Sequence, residues 1–161
     1  MKPRRANRPP TPDQILRQET LTEVRAVYAE ANARPIERSC TRLTECCQFK
    51  LTGRTPQLTR GEAILAAKAV RAAGRKSLPE RDDGVCPLLK ENGKCMIYQD
   101  RPFGCRTHFC QAAGGPYERG EVIDLIRRLE SVDRRLGGPG PRALPNAIRD
   151  ELRLLERGEI L

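Results

Sequence analysis

Seven cysteines lie between positions 40 and 110 of this 161-residue chain, and none lies outside that stretch. They stand at Cys40, Cys46, Cys47, Cys86, Cys95, Cys105 and Cys110. Thiolate sulfur is a soft, charged donor suited to Zn²⁺ and to iron–sulfur clusters. Thiols gathered in this way therefore predict a metal or cluster site. Disulfides are the competing chemistry, but an odd count leaves one thiol over. Unligated buried cysteines are the plainest alternative. The spacing matches neither the paired C-x2-C knuckles of a zinc finger nor a ferredoxin run. Cys46 and Cys47 are adjacent, and in an extended segment their side chains point to opposite faces. They would then serve different metal atoms, or one would be structural. The best single four-thiolate set is Cys86, Cys95, Cys105 and Cys110, with Cys40 and Cys46 completing it or forming a second centre.

The elements that must position these thiols are legible from local signals. Thr11-Pro12-Asp13-Gln14 reads as a helix start, with Thr11 as cap, Pro12 at the first helical position and Gln14 closing a capping box. Ile15, Leu16, Val24, Val27, Tyr28 and Ala31 follow at helical spacing, and Pro35 ends the run. A second capping box, Thr59-Arg60-Gly61-Glu62, opens a helix carrying Ile64, Leu65, Ala69 and Val70 that stops near Gly74. Between them, Cys47-Gln48-Phe49-Lys50-Leu51 alternates as a short strand would, with Cys47, Phe49 and Leu51 on one face. Asn92-Gly93 predicts a two-residue type I′ turn that folds Cys86 back toward Cys95–Tyr98. A third helix runs from after Pro116 to about Leu136. Gly137-Gly138-Pro139-Gly140-Pro141 breaks the chain, and a last helix carries Ile148, Leu152 and Leu155. The expectation is a mainly α fold with a small irregular cysteine-rich lobe containing a short β-hairpin. Residues 11–161 would form a single metal-binding domain after a disordered basic arm over 1–10.

The formal charge is +9, with 30 Lys and Arg against 21 Asp and Glu. A basic balance allows polyanion binding, but here it is spread along the chain, and the only dense run is Lys2 to Arg8. Nucleic acid is thus the lesser alternative as a partner. No apolar h-region follows the basic start, and the stretch from Ala63 to Val70 is too short to span a bilayer. These features lead us to expect a cytoplasmic protein, where disulfides are rare. No Ser-His-Asp order, phosphate loop or paired-carboxylate motif is present. Asp82-Asp83-Gly84 reads as a turn.

The cysteine pattern resembles the YkgJ-type family of cysteine-cluster proteins, described as zinc- or iron-chelating. Its signature is C-x2-C-x2-C-C, followed by a C-x-I-Y-x-x-R-P-x-x-C-R segment. Cys40, Cys46 and Cys47 match the first, third and fourth cysteines of the signature, and Leu43 stands at the second. The later segment is matched by Cys95-Met96-Ile97-Tyr98, Arg101-Pro102, Cys105-Arg106 and Cys110. Cys86-Pro87-Leu88-Leu89 is similar to the family's preceding C-P-x-L element. The resemblance covers about residues 39–112 and implies bound zinc or an iron–sulfur cluster. A similar domain occurs in flagellin lysine methylases, which implies methyl transfer by analogy, although no Gly-rich adenosylmethionine-type loop is present.

Two readings of His108 follow. It is either a residue beside the site, or a ligand that replaces the thiol missing at Leu43, giving eight donors and enough for two tetrahedral centres. Arg101 and Arg106 are expected to donate to sulfur and offset thiolate charge. Tyr98 reads as a packing residue. The function expected is a metal-binding protein holding zinc or an iron–sulfur cluster through its thiolates, with no reaction assigned. The alternatives are a cluster-dependent redox or methyl-transfer enzyme, and a basic nucleic-acid-binding module with a structural metal.

Overall fold

Thr11 and Gln14 start the first helix as their spacing predicts. The Thr11 N–H donates to Gln14 Oε1 at 2.8 Å, and the Gln14 N–H donates back to Thr11 Oγ1 at 3.3 Å. In the computed structural model, which describes residues 8–40 and 44–159, helix α1 spans Pro12–Ala33. A short α2, Phe49–Thr52, and strand β1, Gln57–Leu58, precede α3, Arg60–Ala72. Then come the five-residue α4, Phe103–Thr107, the long α5, Arg119–Arg135, strand β2, Arg142–Ala143, and α6, Leu144–Glu156. Of the basic arm, only Arg8, Pro9 and Pro10 are described. They are exposed and carry no helix or strand. Leu43 lies outside the described residues.

Helix α3 is the axis of the fold. Its residues from Gly61 to Ala67 are all buried, as expected of a helix packed on every side. One side joins α1 and α5 through Val24, Val27, Ile64, Leu65, Leu125 and Leu129. The other joins α6 through Ala63, Ala66, Val70, Ile148 and Leu152, and reaches the lobe at Cys86, Leu88 and Ile97. Gly61 permits the close approach at the head of α3. A Cβ there would lie 2.7 Å from Val132 Cγ1 and 2.9 Å from Val24 Cγ2.

Two buried carboxylates tie the helix ends together. Asp133 accepts the Arg60 N–H at 2.7 Å and the Gly140 N–H at 2.9 Å, so it caps α3 and gathers the glycine-rich breaker. Arg60 donates to Glu151 at 3.2 Å and to the Leu136 carbonyl at 2.7 Å. Residues Gln57 and Leu58 pair antiparallel with Ala143 and Arg142, closing the ribbon over the start of α6.

Two local expectations are corrected. Residues 47–51 do not form a strand. Glu45–Cys47 makes a 3₁₀ turn, and the Thr52 N–H and hydroxyl both return to the Gln48 carbonyl, at 2.9 and 3.1 Å. That closes a helical turn and leaves Leu51 75% exposed, off the face of Cys47. Only Gln48 keeps a bridge, to Val85. The reversal at Asn92-Gly93 is also not a type I′ turn. Gly93 alone has positive φ, 76°, and its N–H donates to the Lys90 carbonyl at 3.0 Å. Asn92 accepts the Lys94 N–H at 3.1 Å through its side chain, which stabilises a longer loop with a glycine bulge. The fold-back itself is present, with Leu89 bridged to Cys95 and the Met96 N–H donating to the Leu88 carbonyl at 2.8 Å.

Candidate metal centre

Backbone hydrogen bonds bring the cysteine-bearing segments together. The Cys86 N–H donates to the Cys47 carbonyl at 2.7 Å, joining the first cysteine group to the second. The fold-back sets Cys95 beside that pair. Cys105 sits in α4, whose start is fixed from the helical frame, and its N–H donates to the Pro102 carbonyl at 2.9 Å. Cys110 opens the 3₁₀ turn Gln111–Ala113, with its carbonyl accepting from Ala113 and Gly115 at 2.9 and 3.0 Å. The Ser39 N–H reaches the Ala113 carbonyl at 3.4 Å, and Arg38 Nε reaches the Gly115 carbonyl at 2.7 Å. These contacts carry Cys40 to the same place.

All seven cysteines line one cavity of about 100 Å³. Arg101, His108, Glu45 and Tyr98 share its wall. No disulfide links the thiols. Cys40, Cys46, Cys47 and Cys95 also face a second, outer hollow of about 290 Å³ rimmed by Lys90 and Lys94. Among the described residues, no three Cys, His, Asp or Glu side chains converge closely enough to hold a single ion between them.

The thiols feel one another. Hydrogen bonding to Cys47, together with burial and the charge of Cys47, pushes Cys46 well up. Cys47 is lowered by its bond from Cys46, yet bonding to Cys86, burial and the nearby Cys86 and Cys95 leave it pushed up to about 12. Burial raises Cys105, and the neighbouring Cys46, Cys47 and Cys95 raise it further. Burial also raises Cys95, against the pull of the Ile97 N–H, Arg101 and Lys90. A set of thiols that oppose one another's ionisation is suited to a bound cation, which reverses that repulsion and favours thiolate.

The two arginines part company. Arg101 lines the cavity, lies 4.1 Å above the Tyr98 ring and favours the ionised forms of Cys46 and Cys95, but its side chain donates to the Tyr98 carbonyl at 3.4 Å and not to sulfur. Arg106 does not line the cavity and donates to no sulfur, although it feels the charge of Cys105. It is buried and donates to the Arg101 carbonyl at 2.7 Å, to Asn32 Oδ1 at 3.3 Å and to the Gln99 carbonyl, and it stacks 4.3 Å from the Tyr28 ring centroid. Its role is to lock the Arg-Pro segment onto α1.

His108 stands in the cavity wall, but its Nδ1 faces the Arg54 guanidinium. Arginine only donates, so Nδ1 is the acceptor and the proton of the neutral ring sits on Nε2. A ligating histidine usually shows the reverse, with one ring nitrogen on the metal and the other N–H donating outward. Burial and Arg54 also hold the ring below its usual pKa. The arrangement favours the reading of His108 as a neighbour of the site.

Sequence reasoning read Glu62 only as a helix cap. It is almost fully buried and accepts four hydrogen bonds. They come from the Thr59 N–H at 3.0 Å, the Thr59 hydroxyl at 2.8 Å, the Tyr28 hydroxyl at 3.3 Å and the Phe103 N–H at 2.8 Å. The last bond holds the first turn of α4 and hence Cys105. Burial raises its pKa against these donors. The capping box was the only signal of it in the sequence; its bond to Phe103 spans 41 positions.

Part of the basic surface of the frame is paired. Arg34 joins Glu30 and Asp124, Arg128 joins Glu23 and Glu30, and Arg135 joins Glu19 across the α1–α5 face. Among the described residues, no helix is long and apolar enough to cross a membrane.

The family model CxxCxxCC, described as "Putative zinc- or iron-chelating domain", matches residues 39–122, just over half of the chain. No curated protein and no solved structure matches it.

Proposed function

The chain belongs to the CxxCxxCC family, and from that premise we propose that it holds a polynuclear metal centre, an iron–sulfur cluster, in the cavity walled by Cys40, Cys46, Cys47, Cys86, Cys95, Cys105 and Cys110. The observation that carries this reading is that thiols from separate segments line one cavity of about 100 Å³. One zinc ion in a closed structural site takes four ligands. A water molecule's share of liquid volume is about 30 Å³, so the cavity has room for more than one atom. The donor set fits the group, being rich in soft thiols with Arg101 beside them to offset charge. Cys47 is bonded to both Cys46 and Cys86, and Cys46, Cys47 and Cys95 stand near Cys105, so the inner ligands would come from both cysteine groups. When bound, such a centre supplies one-electron exchange and cross-links the segments that hold it. A reducing compartment such as the cytosol suits seven free thiols. Residues 11–161 would act as one folding unit around the centre.

The test is the iron, zinc and acid-labile sulfide content of anaerobically purified protein, read beside its visible spectrum. Iron and sulfide in comparable amounts are expected. Zinc without sulfide would replace the cluster with a zinc–thiolate centre. A metal content below about a tenth of an equivalent would sink both, because structural sites of this kind bind tightly. Cys105→Ser should lose most of the metal, Cys110→Ser less, and His108→Ala little. If His108→Ala releases the metal as fully as Cys105→Ser, the histidine is a ligand.

A further inference from the structure

At Gly104, one residue before Cys105, the chain lines a separate pocket of about 300 Å³, which no cysteine lines. It sits between the start of α3, α4 and α5, and its volume is at the lower end of the range for small-molecule sites, about 300–1,000 Å³. One side is apolar, built from Phe103, Tyr117, Val122 and Ile126. Val122 and Ile126 are four positions apart on α5, so they lie on one helix face. The polar side carries two arginines, Arg54 and Arg119. Neither has an acidic partner among the ion pairs of the described residues. Arg25, Arg127 and Arg134 likewise stand outside those ion pairs, so what sets Arg54 and Arg119 apart is that they share this pocket. Arg54 uses one N–H on His108, and a guanidinium has five. Two acids also line the pocket. Glu62 is already committed to its four donors, which leaves Glu130 as the one acid there without a hydrogen-bond partner among the described residues.

An apolar floor beside two guanidinium groups that lack an acidic partner among the described residues suits a ligand with one anionic end and one greasy end. Arginine's planar fork matches a carboxylate in particular. We propose that this pocket binds a small organic carboxylate with an apolar tail, its carboxylate held by Arg119 and Arg54 and its tail laid on Tyr117, Val122 and Ile126. This site is distinct from the thiol cavity and does not depend on which metal the cavity holds.

The test is calorimetric titration of the metal-loaded full chain with three probes: 4-phenylbutyrate, the uncharged 4-phenyl-1-butanol, and acetate. Saturable binding of 4-phenylbutyrate is expected, with the alcohol weaker by about tenfold or more, as loss of a charge-assisted hydrogen bond implies, and with no measurable acetate binding. Arg119→Gln, an exposed substitution away from the thiols, should weaken 4-phenylbutyrate by a similar factor without changing metal content or melting temperature. Arg54→Gln should do likewise to binding, and Ile126→Trp should block it by filling the floor. Failure of 4-phenylbutyrate to bind, equal binding of the alcohol, acetate binding as well as the phenyl acid, or unchanged affinity in both arginine variants would each overturn the proposal. Should Ile126→Trp disturb the fold, the arginine pair and the probe series decide the matter alone.

Discussion

In the helical frame, Val24, Leu125 and Ile148 are enclosed on all sides by other aliphatic groups, and each helix meets its neighbours through such contacts. Between Glu45 and Ala113, outside α3, the chain has no helix longer than five residues and buries few large apolar side chains. That stretch is held by single backbone bonds, such as Cys86 to Cys47, by Glu62 reaching out from the frame, and by Arg106 reaching back to Asn32 and Tyr28 of α1. The frame is a packed solid whose stability comes from burial. The lobe is a set of short turns that lay Leu78, Leu88 and Ile97 against α3 and α6 and leave its thiols around a cavity of their own. A centre bound by those thiols would supply the cross-links that packing does not.

That difference can be broken most forcefully from the frame side. Leu125→Ala removes a fully enclosed side chain and should cost about 2–5 kcal/mol. In a denaturant titration it should lower the midpoint of the whole protein, yet the folded fraction should still carry its full metal complement. Loss of metal before unfolding would show that frame and lobe are not separable in this way.

The next largest effect is at their junction. Glu62→Ala leaves the buried Phe103 N–H without its partner, which costs about 1–3 kcal/mol. Because Phe103 starts the helix that bears Cys105, this variant should lose stability and metal affinity together. A normal affinity in a destabilised protein would mean that Glu62 serves the frame alone.

The lobe also has its own response to pH in the metal-free state. The fold raises Cys47 from an ordinary value of 9.0 to about 12. A folded-state pKa raised above the unfolded one favours the neutral thiol. The contribution is therefore fully present below pH 9.0 and is lost as the pH rises through 12. Reduced, metal-free protein should lose stability across that window, and Cys47→Ser should flatten the curve there. Metal-loaded protein should respond in the opposite sense, releasing metal as falling pH protonates its thiolates. Denaturation midpoints and metal content measured against pH check both.

The smallest effect concerns the fold-back. Gly93 has φ 76° and open space where a Cβ would go, so Gly93→Ala should cost only the left-handed strain, about 1–2 kcal/mol. Gly84, at φ 74°, would place a Cβ 2.5 Å from Lys50 Cβ, so Gly84→Ala should cost more. Equal melting temperatures for the two variants would show that the contact between residues 84 and 50 yields freely.

The chain's local chemistry settled where the helices begin and that the thiols belong together. Capping boxes at Thr11 and Thr59 act over three residues, and the hydrophobic stripes of α1, α3, α5 and α6 repeat at helical spacing, so both are legible in a short window. Tertiary structure decided the rest, because it depends on partners distant in the chain. The two-residue ribbon pairs Gln57 with Ala143, a register that no local pattern encodes. The alternation at Cys47–Leu51 yielded to the helical turn that Thr52 closes on Gln48, and the bonds from Lys50 to Gly84 and from Cys86 to Cys47 keep a single bridge to the neighbouring segment. Arg106 and Arg101 look equivalent in sequence, but the ring of Tyr28 takes one and the thiol cavity takes the other. Likewise the proton on His108 is placed by Arg54, which sits 54 positions away. Residue type dictated which chemistry was available, and only the packing of remote segments dictated which residue performs it.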